Sequence, residues 1–136
     1  MNRNDFQRLA GTRIREAKAL FKAGEFSGAY YLAGYAVECA LKACYAKSVQ
    51  RHDFPDKRVR QVFTHDPVEL TRLAGLNDEL QMAVRSSRNF AAAWEVVCKW
   101  SEDSRYTVSA RQDAEALFDA INRRKDGVLP WIKRYW

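Results

Sequence analysis

Four side chains that could do chemistry recur at helical spacing in an otherwise apolar segment. Tyr31, Tyr35, Glu38 and Lys42 stand among Ala, Gly, Leu, Val and Cys. On a helix with about 3.6 residues per turn, the four lie along one narrow stripe. Glu38 and Lys42 have the favourable order for an ion pair between neighbouring turns. The stripe is therefore either a buried polar seam or one wall of a binding site.

One arginine interrupts the apolar face of the preceding segment. Arg13 stands at helical spacing from Ala10 and Ala17, on the face that would pack against the rest of the protein. An arginine that faces a core needs a carboxylate partner, and Glu38 is a candidate. Alternatively, the Arg13 side chain extends to the edge of that face and reaches solvent. The sequence leaves both arrangements open.

The segments that carry these residues are predicted to be two long helices. The first covers about residues 5–23 and ends at Gly24, and the second covers roughly residues 26–48. Because only Gly24 and Glu25 link them, the two helices should pack as an antiparallel hairpin. The second helix is apolar on nearly every side, so other helices must surround it.

Capping signals predict shorter helices after the middle of the chain. Asp66 should cap a helix that begins at Pro67, with Glu69 closing a capping box. Asn77 could cap the next helix, and the serine pair 86–87 should bend or break it. A further helix is then expected to follow this break.

The remaining segments predict a long loop and a C-terminal helix. Residues 50–63 are polar and basic and form the predicted loop, with a short helix near its end. Ser109 should cap the last long helix, with Gln112 at the capping-box position and Gly127 as its stop. The aromatic and basic segment 131–136 follows, and it suits either nucleic-acid contact, a dimer interface or packing onto the bundle.

The length and composition of the chain indicate one helical domain. The chain has 136 residues, of which 47% are hydrophobic and 29% charged, and this composition is typical of a globular protein. Residues 1–136 are therefore interpreted as a single domain. Few glycines and prolines among many helix-forming residues favour helices over strands. The predicted fold is an all-α, antiparallel helical bundle of four to five main helices with a short C-terminal helix.

Charge and cysteine content narrow the classes of partner. The net charge of +6 is compatible with a polyanionic partner. Three cysteines without a C-x-x-C pair and two histidines do not form a zinc motif, so we expect no metal and no cofactor. The thiols are expected to be reduced in a cytoplasmic protein without a secretory signal. Charged residues and tyrosines in the apolar segment argue against a membrane span.

Three segments share the pattern of a known group of helical domains. The first is A-x-x-L-F-x-x-G-x-F-S-G-A-Y-Y-L-A-G-Y-A-V-E-x-A-L-K-A, across the two long helices. The second, T-H-D-P-V-E-L at 64–70, is similar to an H-D-x-x-x-L segment before a third helix. The third runs from Trp100 to Arg105 and Tyr106 and is similar to a W…R-Y loop. Together they resemble HEPN domains (higher eukaryote and prokaryote nucleotide-binding) over nearly the whole chain.

This resemblance implies a compact antiparallel helical bundle that is commonly a homodimer. Many HEPN members are metal-independent endoribonucleases, including toxins and antiviral effectors. Other members have lost activity and bind nucleotides or act as scaffolds. Minimal nucleotidyltransferases are frequent partners, so the resemblance also implies a toxin-antitoxin or defence pair.

The ribonuclease members use an R-x(4–6)-H motif, in which His moves protons and Arg holds the phosphate. Arg60 and His65 match this motif as a string, but they precede the third helix instead of opening a C-terminal one. Arg88 and Asn89 are better placed, but no histidine follows them at the required spacing. The motif is thus absent or coincidental, and Arg60 and His65 are the candidate catalytic pair if it is real. Alternatively, His65 only helps to hold the loop before Asp66.

The W…R-Y loop also has two interpretations. Arg105 could bind a phosphate, with Tyr106 or Trp100 against a base. Alternatively, Arg105 pairs with Asp103 or Glu102, and Tyr106 packs on the bundle.

The leading hypothesis is a cytoplasmic HEPN-type bundle, expected as a homodimer, that binds nucleotide or RNA phosphate. One alternative is a metal-independent endoribonuclease toxin that uses Arg60 and His65, and another is a non-catalytic scaffold. The candidate nucleotide- or RNA-binding residues are Arg105, Tyr106, Lys42, Tyr31, Tyr35 and Glu38.

Overall fold

The computed structural model describes residues 1–50 and 62–136, and these residues form helices without any strand. Their α-helices are α1 (Arg3–Lys22), α2 (Phe26–Gln50), α3 (Pro67–Leu73), α4 (Asn77–Ser86), α5 (Arg88–Cys98), α6 (Arg111–Asn122) and α7 (Val128–Lys133). A 3₁₀ helix, Glu102–Tyr106, lies between α5 and α6. The predicted all-α bundle with a short C-terminal helix is confirmed. Most of the predicted loop at 50–63, including Arg60, lies outside the described residues.

The predicted hairpin of α1 and α2 is present. Gly24 has a φ of 81°, a left-handed conformation that glycine adopts at little cost. The N–H groups of Gly24 and Glu25 donate to the carbonyl groups of Phe21 and Leu20, at 3.1 and 2.9 Å. These bonds satisfy the last carbonyls of α1 and reverse the chain into α2.

The central helix of the bundle is α2, which packs against α1, α3, α6, α7 and the 3₁₀ helix. Its side chains Val37, Cys39 and Leu41 are at most 1% exposed. Burying one large apolar side chain of this kind contributes about 1.5–3 kcal/mol. The prediction that other helices surround α2 is therefore confirmed. Among the described residues, no helix has the length and apolarity needed to cross a membrane.

The Asp66 cap of α3 is confirmed, but its capping box is not. Asp66 Oδ1 accepts a hydrogen bond from the N–H of Val68 at 2.9 Å. The Glu69 carboxylate instead accepts from Arg72, one turn along the same helix. The N–H of Asp66 donates to Thr64 Oγ1 at 3.2 Å, so the segment before α3 is held by a side chain from the loop.

The break at 86–87 is also confirmed. Ser87 Oγ accepts from the N–H of Phe90 at 3.0 Å and caps α5. Asn77 is the first residue of α4 and not its cap; the cap position is Leu76, which offers no side-chain hydrogen bond. The start of α4 is therefore set by packing of the buried Leu76 and Leu80.

The predicted Ser109 cap of the last long helix is wrong. The N–H of Ser109 donates to Ser27 Oγ on α2 at 2.9 Å, which ties this loop to the central helix. The cap position is Ala110, and its N–H donates to Asp113 Oδ2 at 3.2 Å. Asp113, and not Gln112, is therefore the capping-box residue whose side chain accepts from the N–H of the cap position.

The C-terminal segment packs back onto the bundle. Its Trp131 is 5% exposed, and the indole ring lies 5.3 Å from the ring of Phe90 and 5.5 Å from that of Tyr135. Gly127 is the cap position of α7; α6 has already ended at Asn122. The prediction that α6 continues to Gly127 is therefore wrong, because α6 ends at Asn122 and a separate turn connects it to α7.

Candidate functional site

Glu38 is a buried carboxylate in the middle of the apolar helix α2. Its side chain is only 2% exposed. Lys42 Nζ lies 2.7 Å from Glu38 Oε1, so the ion pair expected from their spacing is present. His65 Nδ1 lies 2.9 Å from the second oxygen, Oε2. Both oxygens of this buried acid are therefore engaged by nitrogen atoms, which compensates part of the cost of burying a charge.

His65 lies between two carboxylates. Its second ring nitrogen, Nε2, is 2.7 Å from Oε2 of Glu102 on the 3₁₀ helix. A neutral imidazole has one N–H and can donate to only one of these acids, whereas an imidazolium can donate to both. The ring thus links Glu38 on α2 to Glu102, while 39% of the His65 side chain stays exposed.

The 3₁₀ helix presents two charged residues toward α2. Residues three apart lie on the same side of a 3₁₀ helix, and Glu102 and Arg105 have this spacing. Glu102 contacts His65, and Arg105 interacts with the Tyr31 side chain on α2. The loop that carries the W…R-Y residues therefore lies along the predicted stripe of α2.

The N-terminal half of the stripe is aromatic. The Tyr31 ring stacks between two other rings, with centroid distances of 6.2 Å to Tyr35 and 6.2 Å to Trp100. Trp100 is 3% exposed and lies directly on Gly34, where an added Cβ would come 2.3 Å from indole atoms. Glycine at this position is what allows the indole, and with it the start of the 3₁₀ helix, to approach α2.

Arg13 does not pair with Glu38, so that interpretation of its position is wrong. Its Nη1 atom lies 2.6 Å from Oε2 of Glu16 on the same helix. Its guanidinium group also lies 5.9 Å from the centre of the Tyr35 ring. Lys42 and His65 occupy the two oxygens of Glu38, and the long Arg13 side chain reaches a half-exposed acid at lower desolvation cost.

Arg105 and Tyr106 form the exposed end of the site. The Arg105 guanidinium lies 4.9 Å from the centre of the Tyr106 ring, and Tyr106 is 77% exposed. Within residues 1–50 and 62–136 Arg105 has no ion-pair partner, so the expected alternative, an ion pair with Asp103 or Glu102, is not formed. The Tyr106 and Tyr31 side chains raise the pKa of Arg105 further above its usual value. The site therefore carries a permanent, accessible cation beside an accessible ring.

A groove of about 450 Å³ lies on another side of the same 3₁₀ helix. Asp103, Ser104 and Tyr30 contribute to its walls, together with residues of α5 and α6. The Ser104 hydroxyl is buried and has no hydrogen-bond partner in the described part of the chain. Burial, and secondarily Asp113, raises the pKa of the Tyr30 hydroxyl. The 3₁₀ helix thus contributes different side chains to the α2 face and to this groove.

The cysteines do not belong to the site. All three are free, and burial raises the pKa of Cys39 and of Cys44 to about 12 and that of Cys98 to about 11. Thiols with such values are protonated at neutral pH and are poor nucleophiles and metal ligands. In the ranges that the structure describes, no cluster of His, Cys, Asp and Glu could hold a metal ion.

The structure brings together most of the residues that the sequence singled out. Tyr31, Tyr35, Glu38 and Lys42 form one face of α2, and His65 and Arg105 reach this face from two separate loops. Arg60 lies outside the described residues. Sequence reasoning missed the contact of Glu102 with His65, because the residues are 37 positions apart and no local pattern connects them.

Comparisons with family models, with curated proteins and with solved structures gave no match for this chain.

Proposed function

We propose that this chain is a cytoplasmic HEPN-type helical bundle that binds a phosphate group of a nucleotide or of RNA at Arg105. The observation that carries the proposal is the exposed Arg105 guanidinium, which has no ion-pair partner in the described part of the chain and interacts with the Tyr31 and Tyr106 side chains. A guanidinium can bind a phosphate through two parallel hydrogen bonds. The exposed Tyr106 ring offers a stacking surface for a base next to it.

The HEPN assignment rests on the sequence resemblance, and the three segments that carry it contact one another in the fold. Glu38 of the α2 pattern contacts His65 of the H-D segment, and Trp100 of the W…R-Y loop stacks on Tyr31 of the α2 pattern.

Glu38 and Lys42 act in this proposal as positioning residues. The Lys42 side chain is 13% exposed, and its ammonium group is already bonded to Glu38. It therefore contributes positive charge to the face and holds Glu38 toward His65. Direct contact with the ligand falls to Arg105 and Tyr106, which are exposed.

The test is titration of the purified chain with ADP and with a short single-stranded RNA. Arg105→Ala should weaken binding by about tenfold or more, because a charge-assisted hydrogen bond contributes roughly 1.5–3 kcal/mol. Arg15→Ala is a matched control, since Arg15 is an exposed arginine on α1 that contacts Thr12. If neither ligand binds, or if Arg105→Ala binds ADP as the unchanged protein does, the binding proposal is wrong and the scaffold hypothesis gains.

The geometry of His65 favours one second candidate, a metal-independent endoribonuclease. A half-exposed imidazole held by a buried acid is suited to proton transfer, and the outer ring nitrogen of His65 lies at the half-exposed Glu102. Incubation of RNA with the purified chain in EDTA tests it. Cleavage that His65→Ala abolishes, and that replacement of the sequence's other histidine, His52→Ala, leaves intact, would establish this candidate over binding alone.

The resemblance further implies a homodimer and a minimal nucleotidyltransferase partner, in a toxin-antitoxin or defence pair. Sedimentation equilibrium of the purified chain tests the dimer, because a dimer has twice the mass of the 136-residue chain. Co-purification with the product of an adjacent nucleotidyltransferase gene tests the pair. A monomer at all concentrations would contradict the predicted homodimer. The Arg105 site would still be tested by its own titration experiment.

A further inference from the structure

A second basic surface of the protein lies where the turn between α6 and α7 meets α7 and the start of α5. A groove of about 380 Å³ is present there. Three cationic side chains contribute to its walls, Arg124 and Lys125 from the turn and Arg134 from the end of α7. Asp126 is a carboxylate in the same lining. Within the described part of the chain, none of the three cations forms an ion pair, so their charge is available to a ligand.

The turn that carries two of these cations has a defined backbone shape. Asp126 has a φ of 66°, in the left-handed region that Asp and Asn tolerate better than most residues. At the next position, Gly127, an added Cβ would come 2.1 Å from the carbonyl oxygen of Arg123. Only glycine therefore allows this close approach. Because the backbone is already held, binding at Arg124 and Lys125 would lose less conformational entropy.

The floor of the groove determines which part of a ligand it can contact. Phe90 and Trp131 contribute to the lining, but they are only 3% and 5% exposed because they pack on each other. Neither ring face is open to a nucleobase. The first turn of α5, which borders the groove, has no acidic side chain that would repel an anion. The accessible chemistry is therefore positive charge without a stacking surface.

We propose that this groove binds the phosphodiester backbone of a single-stranded nucleic acid and does not contact its bases. Because the groove has three cations and one carboxylate, it favours a ligand with several linked phosphates over a ligand with one phosphate. Guanidinium groups, two of the three cations, match phosphate oxygens with paired hydrogen bonds. The groove shares no residue with the Arg105 site, so it goes beyond the proposed function and each site can fail independently.

The experiment measures the affinity of the full chain for a fluorescently labelled uridine oligonucleotide across a range of salt concentrations. In the triple variant Arg124→Gln, Lys125→Gln, Arg134→Gln, the affinity should fall by about tenfold or more at low salt. The slope of log affinity against log salt should also become shallower by roughly 2, since each phosphate contact on a single strand contributes about 0.7.

A matched control removes the same charge from another surface. Arg15, Lys18 and Lys22 are exposed on α1, and their replacement by glutamine changes the net charge equally. This control should weaken binding by no more than about threefold, as expected for a general field effect. If the control and the groove variant lose affinity equally, the groove is not a binding site and the proposal is overturned.

A gain of affinity provides a test that loss of folding cannot imitate. Asp126→Asn removes the carboxylate from the groove and keeps a residue that tolerates the left-handed conformation. It should bind the oligonucleotide about two- to threefold more tightly than the unchanged chain. Unchanged or weaker binding by a variant with the same melting temperature would contradict the proposal.

Competitors distinguish the sources of negative charge. Uridine monophosphate should displace the oligonucleotide only weakly, because it offers one phosphate. Polyglutamate of similar length should compete less well than unlabelled RNA, since its charges are carboxylates. If polyglutamate competes equally, the groove is a general acidic-ligand surface and the nucleic-acid proposal fails. The Arg105→Ala background separates the two sites. In this background, the groove triple variant should still lower the affinity for the oligonucleotide. If the triple variant no longer lowers it, all binding is assigned to Arg105.

Discussion

The Nδ1 atom of His65 lies 2.9 Å from Oε2 of Glu38, a carboxylate 27 residues earlier whose side chain is 2% exposed. The opposite ring nitrogen of His65 contacts Glu102, whose side chain is 38% exposed. One imidazole thus bridges a desolvated acid and a hydrated one. Each acid contacts one ring nitrogen at a similar distance. The burial of Glu38 and its additional ion pair with Lys42 should therefore decide how much more it contributes to stability.

Replacement of the two acids should have unequal effects. Glu38→Ala leaves Lys42 without its buried partner and should lower the free energy of unfolding by about 3–5 kcal/mol. Glu102→Ala removes a half-exposed contact to the same ring and should cost less than about 1 kcal/mol. Urea unfolding monitored by circular dichroism measures both. A loss below about 1 kcal/mol for Glu38→Ala would mean that water reaches this acid in solution.

A methyl group at Gly34 should destabilise the protein although it favours the helix. An added Cβ would come 2.3 Å from the Trp100 indole, and relieving such overpacking costs about 1–3 kcal/mol. Gly11→Ala is the matched control, because Gly11 is also inside a helix and its Cβ would meet Arg15 at an ordinary 3.5 Å. That control should gain about 0.5–1 kcal/mol from helix propensity. The melting temperatures of the two variants should therefore shift in opposite directions. Equal shifts would contradict the contact between Gly34 and Trp100.

The buried thiols should make the protein less stable in alkali. Burial raises the pKa of Cys39 and Cys44 from 9.0 to about 12 in the folded chain. Below pH 9 both states keep the protons, whereas between 9 and 12 only the unfolded state releases them, so the free energy of unfolding falls as pH rises. The double variant Cys39→Ala, Cys44→Ala should lose this dependence, a difference of roughly 1 kcal/mol per thiol near pH 10.

Urea titrations at about pH 8 and pH 10 measure this difference. The tyrosines and lysines titrate in both proteins, so the contrast between the unchanged chain and the variant isolates the thiols. Parallel decreases in the two proteins would show that neither thiol is buried as described.

The cap of α3, Asp66, directly follows His65 in the chain and can be tested separately. Asp66→Ala removes the acceptor for the Val68 N–H and should cost about 1 kcal/mol. Asp66→Asn keeps an equivalent acceptor and should cost only about 0.3 kcal/mol. Chemical unfolding measures both variants. Equal losses would indicate that the negative charge of Asp66, and not its capping hydrogen bond, stabilises the helix.

The local features of this fold could be predicted because their partners are neighbours in the chain. The hairpin of α1 and α2, the Glu38–Lys42 pair and the Asp66 cap each depend on residues at most four positions apart or on one glycine at a turn. Short-range spacing and backbone preference decide such contacts. The error at Glu69 is also local, since Arg72 lies one turn along the same helix. The error at Ser109 has a different origin, because its N–H donates to Ser27, 82 positions earlier in the chain.

The sequence alone determined that the protein is a helical bundle, with a stripe of polar side chains on its most apolar helix, and suggested the HEPN resemblance, which stays a prediction. Only the tertiary structure decided which residues meet on that stripe. His65 and Trp100 contact α2, and Glu102 contacts His65, from segments whose paths depend on packing of the whole chain. Arg13 pairs with Glu16 instead of Glu38. The physical reason is that a buried acid selects its partners by desolvation and access, and both are properties of the assembled core.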